Sequence, residues 1–333
     1  MYTLLGLCLV LASLLILNAA ISQVAGVFWR ICRPHARKWT ARSRADFVFV
    51  LRVLPLTIAL VLALGILLPA YILYEPAESG EVVGWTLLVP AILGAAGIVV
   101  ALSRAAIRWR ATRVILRQWL SRSVPISPPI AGLEAYRLSY DLPIVAIVGC
   151  FRPKLFVADC VFESLGTSET AAAIAHERAH LVAHDNFKNA VARLGSDTLA
   201  PLLVSGTLQT EWMQASEEAA DDLACNRDKN IALDLASALI KVARIAPAGV
   251  RLPFSGGMAF SEPATVAHRV ERLARSEWNA RGNPGRAKIL ATRNVVLAAL
   301  TVVAAVFALQ LAMTSSGLAR VHLFIEMVVS KLQ

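Results

Sequence analysis

The sequence predicts a mostly α-helical membrane protein, in which a soluble α+β domain is inserted between the third and fourth of four transmembrane helices. The composition predicts membrane spans, because 57% of the 333 residues are hydrophobic and only 17% are charged. Soluble domains are typically about 45–50% apolar and about 25% charged. The excess of apolar residues is therefore expected to face lipid. The apolar residues also gather in four long runs, three before residue 104 and one after residue 293.

Each of the four runs is long enough to cross a hydrocarbon core of about 30 Å as a helix. The runs are residues 2–29, 47–74, 82–103 and 294–313, and the only charged residue within them is Arg52. The first run is too long for a cleaved signal peptide and lacks a charged n-region. We therefore predict that it is a retained helix.

The charges between the runs predict the orientation in the membrane. Residues 30–46 hold six Lys and Arg and residues 104–122 hold six Arg, whereas residues 75–81 hold three Glu and no basic residue. Lys and Arg concentrate in cytoplasmic loops. We therefore predict a multi-pass protein of the inner membrane, with both termini outside and residues 104–293 in the cytosol. The net charge of +10 follows from this topology, and we expect no direct contact with nucleic acid.

The sequence divides the chain into four parts. Residues 1–122 contain three spans and a basic segment, and residues 123–290 form the soluble domain. Residues 291–314 contain the fourth span, and residues 315–333 form a short extracytoplasmic tail. The soluble domain balances 17 Lys and Arg against 18 Asp and Glu, as a globular domain does. Its first residues, SVPISPP at 123–129, predict a linker. The basic segment 104–122 has two interpretations, a helix lying on the membrane surface or an extension of the third span.

The soluble domain begins with signals for two strands and a helix. Residues 144–148 and 154–157 are rich in β-forming residues and flank a Gly/Pro turn, which predicts a strand–turn–strand unit. Thr167 is a suitable N-cap, and Glu169 would favour the positive end of the helix that follows. This helix should run through the alanine-rich residues 171–175.

The helix then reaches the strongest chemical signal in the chain, His176-Glu177-Arg178-Ala179-His180. Residues four apart lie on one helix face, so His176 and His180 can present their imidazoles to a single Zn²⁺. Glu177 lies beside the same metal without binding it and can act as the general base that takes a proton from water. The pattern predicts a zinc hydrolase site with one Zn²⁺ per chain.

A His₂ site needs one further protein ligand, and the best candidate is Glu217 on a predicted helix at residues 212–224. Asp221 lies on the same helix face and could fix the tautomer of a ligand histidine. Glu218 and Asp222 have the same spacing one residue later, so the alternative is that Glu218 binds the metal and Asp222 supports it. Among the other histidines, His268 could stabilise an oxyanion, although a lone histidine is more often structural or exposed.

At these residues the chain resembles the M56 peptidase family, membrane metalloproteases that include the β-lactam sensor-transducers of the BlaR/MecR type. The resemblance involves four segments: His176-Glu177-x-x-His180 with Asp185 and Asn189, GCFRPKL at residues 149–155, Glu217-x-x-x-Asp221, and Arg269-Val270-x-x-Leu273. It implies a gluzincin-type cytosolic domain in which Glu217 is the third zinc ligand. It also implies supporting positions for Asp185, Asn189 and Arg269 around the metal site.

The resemblance further implies activation by a transmembrane signal, self-cleavage in some members, and cleavage of a cytosolic repressor that binds DNA. Only residues 314–333 follow the fourth span, which leaves no room for a penicillin-binding sensor domain, so β-lactam sensing is not expected. In related gluzincins an extended substrate adds to an edge strand, for which residues 144–148 are the candidate.

The function predicted from the sequence is therefore a regulatory, membrane-bound zinc metalloendopeptidase that acts on a protein substrate. One alternative is an M48-like protease for membrane protein quality control or for prenylated proteins. A non-catalytic, zinc-stabilised signalling scaffold is the alternative of another class, and Glu177 argues against it because a structural site does not need that carboxylate. The pattern leaves the oligomeric state open, a homodimer included.

Overall fold

The computed structural model describes residues 2–74, 83–130, 132–149, 152–202, 207–245 and 263–275, together with residues 323 and 327. This part of the chain is mostly helical and contains a small mixed sheet. The predicted fourth span at residues 294–313 lies outside the described residues, as does nearly all of the predicted tail at 315–333.

Three helices are long and apolar enough to cross a membrane, which confirms the first three predicted spans. The first is α1, Tyr2–Ala36. The second consists of α2, Ala41–Leu62, a π-helical turn at Ala63–Leu67, and α3, Leu68–Tyr74. The third is α4, Trp85–Ser121.

Helix α4 continues far beyond its apolar part and enters the core of the soluble domain. Its 37 residues correspond to a rod of about 55 Å. Near its end, the ring of Trp119 lies edge-on to Phe156, with ring centroids 5.3 Å apart. Of the two interpretations of residues 104–122, the extension of the third span is therefore the correct one.

The sheet has four strands in the order β1-β2-β4-β3. They are β1 at Ser123–Ile130, β2 at Leu133–Leu138, β3 at Val145–Val148 and β4 at Lys154–Ala158. Strand β2 pairs parallel with β4, while β1 with β2 and β3 with β4 pair antiparallel. The predicted strand–turn–strand unit is confirmed as β3 and β4. The predicted linker at 123–129 is wrong: it forms β1, whose place at the sheet edge tolerates prolines that cannot donate to a ladder.

Six helices complete the described part of the soluble domain. They are α5 at Asp159–Ser164, α6 at Thr167–Val182, α7 at Asp185–Asp197, α8 at Thr207–Cys225, α9 at Lys229–Ile245 and α10 at Pro263–Arg275. A hydrophobic core joins the sheet to α6 and α9, with Phe156 and Leu155 on β4 and Leu235 and Leu239 on α9 fully buried.

Helix α6 starts as the sequence predicts, although Gly166 rather than Thr167 occupies the N-cap position. The Gly166 amide donates to Glu169 Oε2 at 2.7 Å, which satisfies one of the free N–H groups at the helix start. Lys241 and Ser237 of α9 also bind Glu169, at 2.7 and 2.6 Å. This carboxylate therefore fixes both the start of α6 and its position against α9.

Helices α7 and α8 attach the soluble domain to the membrane helices. Within α1, Asn18 Nδ2 donates to Thr198 Oγ1 at 2.9 Å, just past the end of α7. Arg104 and Arg108 of α4 both pair with Asp197, the last residue of α7. The His176–His180 motif on α6 thus connects through α7 to Asn18 inside the first apolar run, and to Arg104 and Arg108 just past the end of the third.

Candidate metal centre

Helix α6 places two imidazoles on one face, as the spacing of the motif requires. The Nε2 atoms of His176 and His180 are 3.2 Å apart, and the two rings are perpendicular with centroids 4.8 Å apart. His176 is only 1% exposed, because α8 and α10 cover this face of the helix. The two nitrogens therefore converge on one point beside the helix.

Helix α8 supplies a carboxylate at the same point. Glu217 Oε2 lies 3.5 Å from His176 Nε2, and Glu217 Oε1 lies 3.5 Å from His180 Nε2. Each imidazole thus faces a different oxygen of Glu217, and one ligand atom from each of the three side chains lies within 4.8 Å of the others. A tetrahedral Zn²⁺ with bonds of about 2.0–2.1 Å holds its ligand atoms about 3.3–3.4 Å apart, so a small inward movement of these side chains would bring them to that spacing. His176, His180 and Glu217 form a group that could hold a metal ion.

The alternative register on α8 does not reach this group. Glu218 pairs with Arg44 at the start of α2, and Asp222 pairs with Arg272 of α10 at 2.5 Å. Both side chains therefore lie on a different face of α8 from Glu217. The sequence favoured Glu217 and kept Glu218 as the alternative. The pairing of Glu218 and Asp222 with two arginines supports Glu217 as the member of the group.

The outer nitrogens of both histidines are held by carboxylates. Asp221 Oδ1 lies 3.0 Å from His176 Nδ1, and Asp185 Oδ2 lies 2.9 Å from His180 Nδ1. A histidine that donates from Nδ1 keeps the Nε2 lone pair free for a metal. Ser216 Oγ also donates to Asp185 Oδ2, at 2.8 Å. The sequence analysis did not identify Ser216. Its position next to Glu217 was the only feature of the sequence that pointed to it.

His184 explains how Asp185 comes to face His180. It separates α6 from α7 and adopts a left-handed conformation, with φ of 55° and ψ of 33°. Such a residue ends one helix and redirects the chain at once. The resulting bend places the first residue of α7 back against the last turn of α6.

Arg269 of α10 closes the cluster. Its Nη1 donates to Glu217 Oε2 at 2.7 Å, and its Nη2 and Nε donate to Asp221 at 2.6 and 3.0 Å. Nη2 also lies 3.3 Å from His176 Nε2. The guanidinium is only 1% exposed, so it compensates two carboxylates in a site that excludes most water.

The charges in the cluster oppose the effect of burial on each pKa. Burial alone would raise the pKa of Glu217, but Arg269 and the two histidines lower it to about 2. Burial alone would lower the pKa of His180, but Glu217, Asp185 and Glu177 raise it to about 9. The carboxylates around the two imidazoles thus favour positive charge on the histidines. Protons supply that charge when no cation is bound, and a metal ion can replace them.

Glu177 lies beside the imidazoles and differs from the other carboxylates. It is 2% exposed, and its Oε1 has no hydrogen-bond partner within the described residues. Burial raises the pKa of Glu177 above its ordinary value, although His180 and His176 act in the opposite direction. An unpaired buried oxygen is costly, and it suits a group that exchanges a proton with a molecule bound beside it.

Two other predicted residues lie farther from the group. Asn189 is buried on α7, where its Oδ1 accepts hydrogen bonds from Arg193 at 3.2 Å and Gln209 at 3.4 Å. His268 is exposed on α10, next to Arg269 in sequence, and lines a cleft on another side of α8. Asn189 thus supports the packing of α7 on α8, and His268 faces a different surface from the two ligand histidines.

Comparison with known proteins found no matching family model and no matching curated protein. The resemblance to the M56 peptidase family therefore rests on the motifs of the sequence. The chemical argument rests on the geometry of the cluster.

Proposed function

We propose that the protein is an integral membrane zinc metalloendopeptidase of the M56 type with a regulatory role. The observation that carries the proposal is the convergence of His176, His180 and Glu217 beside the buried, partly unpaired carboxylate of Glu177. Three protein ligands and a nearby base are the components of a hydrolytic metal site.

The ligand set favours zinc among the common metals. Two imidazoles and one carboxylate suit Zn²⁺, whereas Ca²⁺ and Mg²⁺ prefer sites built from oxygen atoms alone. Structural zinc sites usually have four protein ligands. In the described part of the chain only three side chains form the group, which suits a site with one position open to water or substrate.

The chain's own residues can perform the proton transfers of peptide hydrolysis. A bound Zn²⁺ would polarise the scissile carbonyl and acidify water at the open position. Glu177 accepts the proton on its unpaired Oε1 and delivers it to the nitrogen of the leaving amine. Asp221 and Asp185 keep the imidazoles oriented throughout, because each holds one outer nitrogen.

Strand β3 supports the proposal of an extended peptide substrate. It lies at the end of the sheet, and within the described residues β4 is its one pairing partner. Ile144 O accepts from Ala158 N, so in this antiparallel register the backbone groups of Val145 and Ile147 point away from β4. Asn186 already donates to Ile147 O at 3.4 Å, which leaves Val145 as the candidate position. Val145 is only 1% exposed, so a substrate strand could pair with it only if the groups that cover this edge move aside.

We place the soluble domain on the cytosolic side of the inner membrane. Arg33 near the end of α1 pairs with Glu211 at 2.9 Å, and Arg44 near the start of α2 pairs with Glu218. The domain therefore packs at the basic ends of these helices, the side that the positive-inside rule assigns to the cytosol. This position suits cleavage of the chain itself or of a cytosolic repressor. An M48-like role would use the same chemistry on membrane-anchored proteins.

The test compares the wild-type chain with Glu177→Gln, both purified at full length in detergent. Glu163→Gln on exposed α5 is the matched control for loss of a carboxylate. We expect about one zinc per chain in all three proteins and a loss of about 10²–10⁴-fold in self-cleavage and in cleavage of an unfolded protein substrate for Glu177→Gln alone. A wild-type chain without zinc, or equal cleavage by Glu177→Gln, would refute the proposed function.

A further inference from the structure

A second polar site lies on the other side of α8 from the metal centre. It is a cleft of about 430 Å³ between the turn that joins α1 to α2, helix α8, and helix α10. Nothing in the proposed hydrolysis uses this cleft. Five arginines line it, from helices α1, α2 and α10 and from the turn between α1 and α2: Arg33, Arg37, Arg44, Arg272 and Arg275.

Most of these arginines have a carboxylate partner, and their pairing leaves one positive charge. Arg33 pairs with Glu211, Arg44 with Glu218, Arg272 with Asp222, and Arg275 with Glu271, and all four carboxylates also line the cleft. Arg37 has no carboxylate within 4.0 Å in the described part of the chain, and its side chain is exposed at the turn. The arginines of the cleft therefore carry one more positive charge than their carboxylate partners neutralise.

Trp29 gives a second, independent indication of a ligand. It lines the cleft and is 3% exposed, and its Nε1 has no hydrogen-bond partner within the described residues. An indole nitrogen can only donate, so an acceptor is what this group lacks. A buried donor without a partner destabilises the fold, and a bound acceptor within its reach would remove that cost.

The position of the cleft indicates which class of anion it would bind. Trp29 lies where the apolar run of α1 ends and its arginines begin, which is the level of a membrane–water interface. Within the described residues, Arg37 and Trp29 are the donors without a partner, whereas Arg44 of α2 and Arg272 of α10 already bind carboxylates. A ligand therefore needs acceptor oxygens that reach α1 and its turn and that can also share the paired arginines on the other sides of the cleft. A phosphate group offers such oxygens and is the preferred partner of clustered arginines. A carboxylate presents its two oxygens on one side only.

We propose that this cleft binds a phosphate group at the membrane surface, carried by an anionic phospholipid or by a free phosphate compound. Arg37, in the turn that follows α1, provides the unpaired charge, and Trp29 of α1 provides the unpaired donor. Arg33 lies between them, near the end of α1. The binding site does not depend on the peptidase activity proposed above, and its test needs no substrate.

Occupancy of the cleft would also bear on the metal centre. Helix α10 carries Arg272 to the cleft and Arg269 to the metal group, three residues apart. Helix α8 likewise presents Glu218 to one site and Glu217 to the other. A phosphate held between the α1–α2 turn and α10 would restrain the positions of α8 and α10. The position of Arg269 would then depend on whether phosphate is bound in the cleft.

The test measures binding to the full-length chain in phosphate-free detergent by calorimetry. The probes are short-chain phosphatidylglycerol, short-chain phosphatidylcholine as the zwitterionic comparison, and inorganic phosphate. The variants are Arg37→Glu, which removes the unpaired charge, and Trp29→Phe, which removes the indole donor. Arg117→Glu is the matched control, because it makes the same charge change on an exposed position of α4 that does not line the cleft.

We expect saturable binding that weakens about tenfold or more in Arg37→Glu, since a charge-assisted contact is replaced by repulsion. Trp29→Phe should weaken it about threefold or more, and Arg117→Glu should bind as the wild type does. Phosphatidylglycerol binding that inorganic phosphate does not displace identifies a lipid headgroup, whereas saturable binding of phosphate itself identifies a free phosphate compound. No saturable binding of either probe, or equal binding by Arg37→Glu and Arg117→Glu, would overturn the proposal.

Discussion

Arg269 and Asp221 form a two-point ion pair directly behind His176, with Arg269 Nη2 2.6 Å from Asp221 Oδ1 and Nε 3.0 Å from Oδ2. Both side chains are fully buried, so neither charge is screened by water. The pair joins α10 to α8, which are 48 residues apart in sequence at this contact. The same carboxylate binds His176, so the ion pair fixes the orientation of that imidazole.

Replacing Arg269 by Gln should destabilise the soluble domain strongly. Asp221 would stay buried without its compensating charge, and loss of one partner of a buried pair costs about 3–5 kcal/mol. Thermal unfolding of the metal-free chain in detergent measures this loss. Arg275→Gln, which removes an exposed pair with Glu271, is the control and should leave the midpoint unchanged within error. Equal midpoints for the two variants would show that the pair contributes little.

Replacing Asp185 by Asn should weaken zinc binding by about 10–100-fold, the usual effect of removing a group that orients a ligand histidine. The carboxylate accepts from His180 Nδ1 and from Ser216 Oγ, and an amide is a weaker acceptor for both. Competition with a chromogenic chelator gives the affinity. Asp159→Asn, which alters only a surface pair with Arg137, should bind zinc as the wild type does. An unchanged affinity in Asp185→Asn would contradict the assigned role.

Local patterns in the sequence predicted those parts of the site that depend on helical spacing. His176 and His180 are four apart on one helix, and Glu217 and Asp221 are four apart on another, so each pair shares a face whatever the rest of the fold does. The length of the apolar runs predicted the three described helices that could cross a membrane. The sequence favoured Glu217 over Glu218 but could not exclude Glu218, because the contacts that hold Glu218 and Asp222 elsewhere are with Arg44 and Arg272, which are distant in sequence.

Long-range contacts account for most of what the sequence did not predict. Asn18 and Thr198 are 180 residues apart, and no periodicity indicates that a polar residue in the first span would bind the end of α7. The proline-rich residues 123–129 have the composition of a linker, yet they pair with β2 because the sheet offers an edge. Such contacts depend on the assembled fold rather than on neighbouring residues.

Zinc affinity should rise with pH across the neutral range. In the metal-free site the pKa of His180 is raised to about 9, so this imidazole carries a proton at pH 7, and zinc must displace it. Affinity should therefore rise about tenfold per pH unit for each proton released, and it should level off near pH 9. Glu217, whose pKa is lowered to about 2, stays ionised over this range and contributes no slope. Calorimetric titration in buffers of different ionisation enthalpy counts the protons, and a flat profile between pH 6 and 8 would contradict the raised pKa.

Replacing Gly97 by Ala should disturb the junction between α4 and α7. A Cβ atom at this position would lie 2.1 Å from the backbone oxygen of Thr198, well inside the closest approach of real atoms. The neighbour is backbone and cannot rotate away, so we expect a loss of about 1–3 kcal/mol in stability. Gly26→Ala in α1 is the matched control, because its Cβ would meet nothing within 4 Å. There the substitution should be neutral or stabilising, since alanine favours a helix over glycine by up to about 1 kcal/mol. Thermal unfolding of both variants in detergent measures the difference, and an equal midpoint would show that α7 does not pack against α4 at this residue.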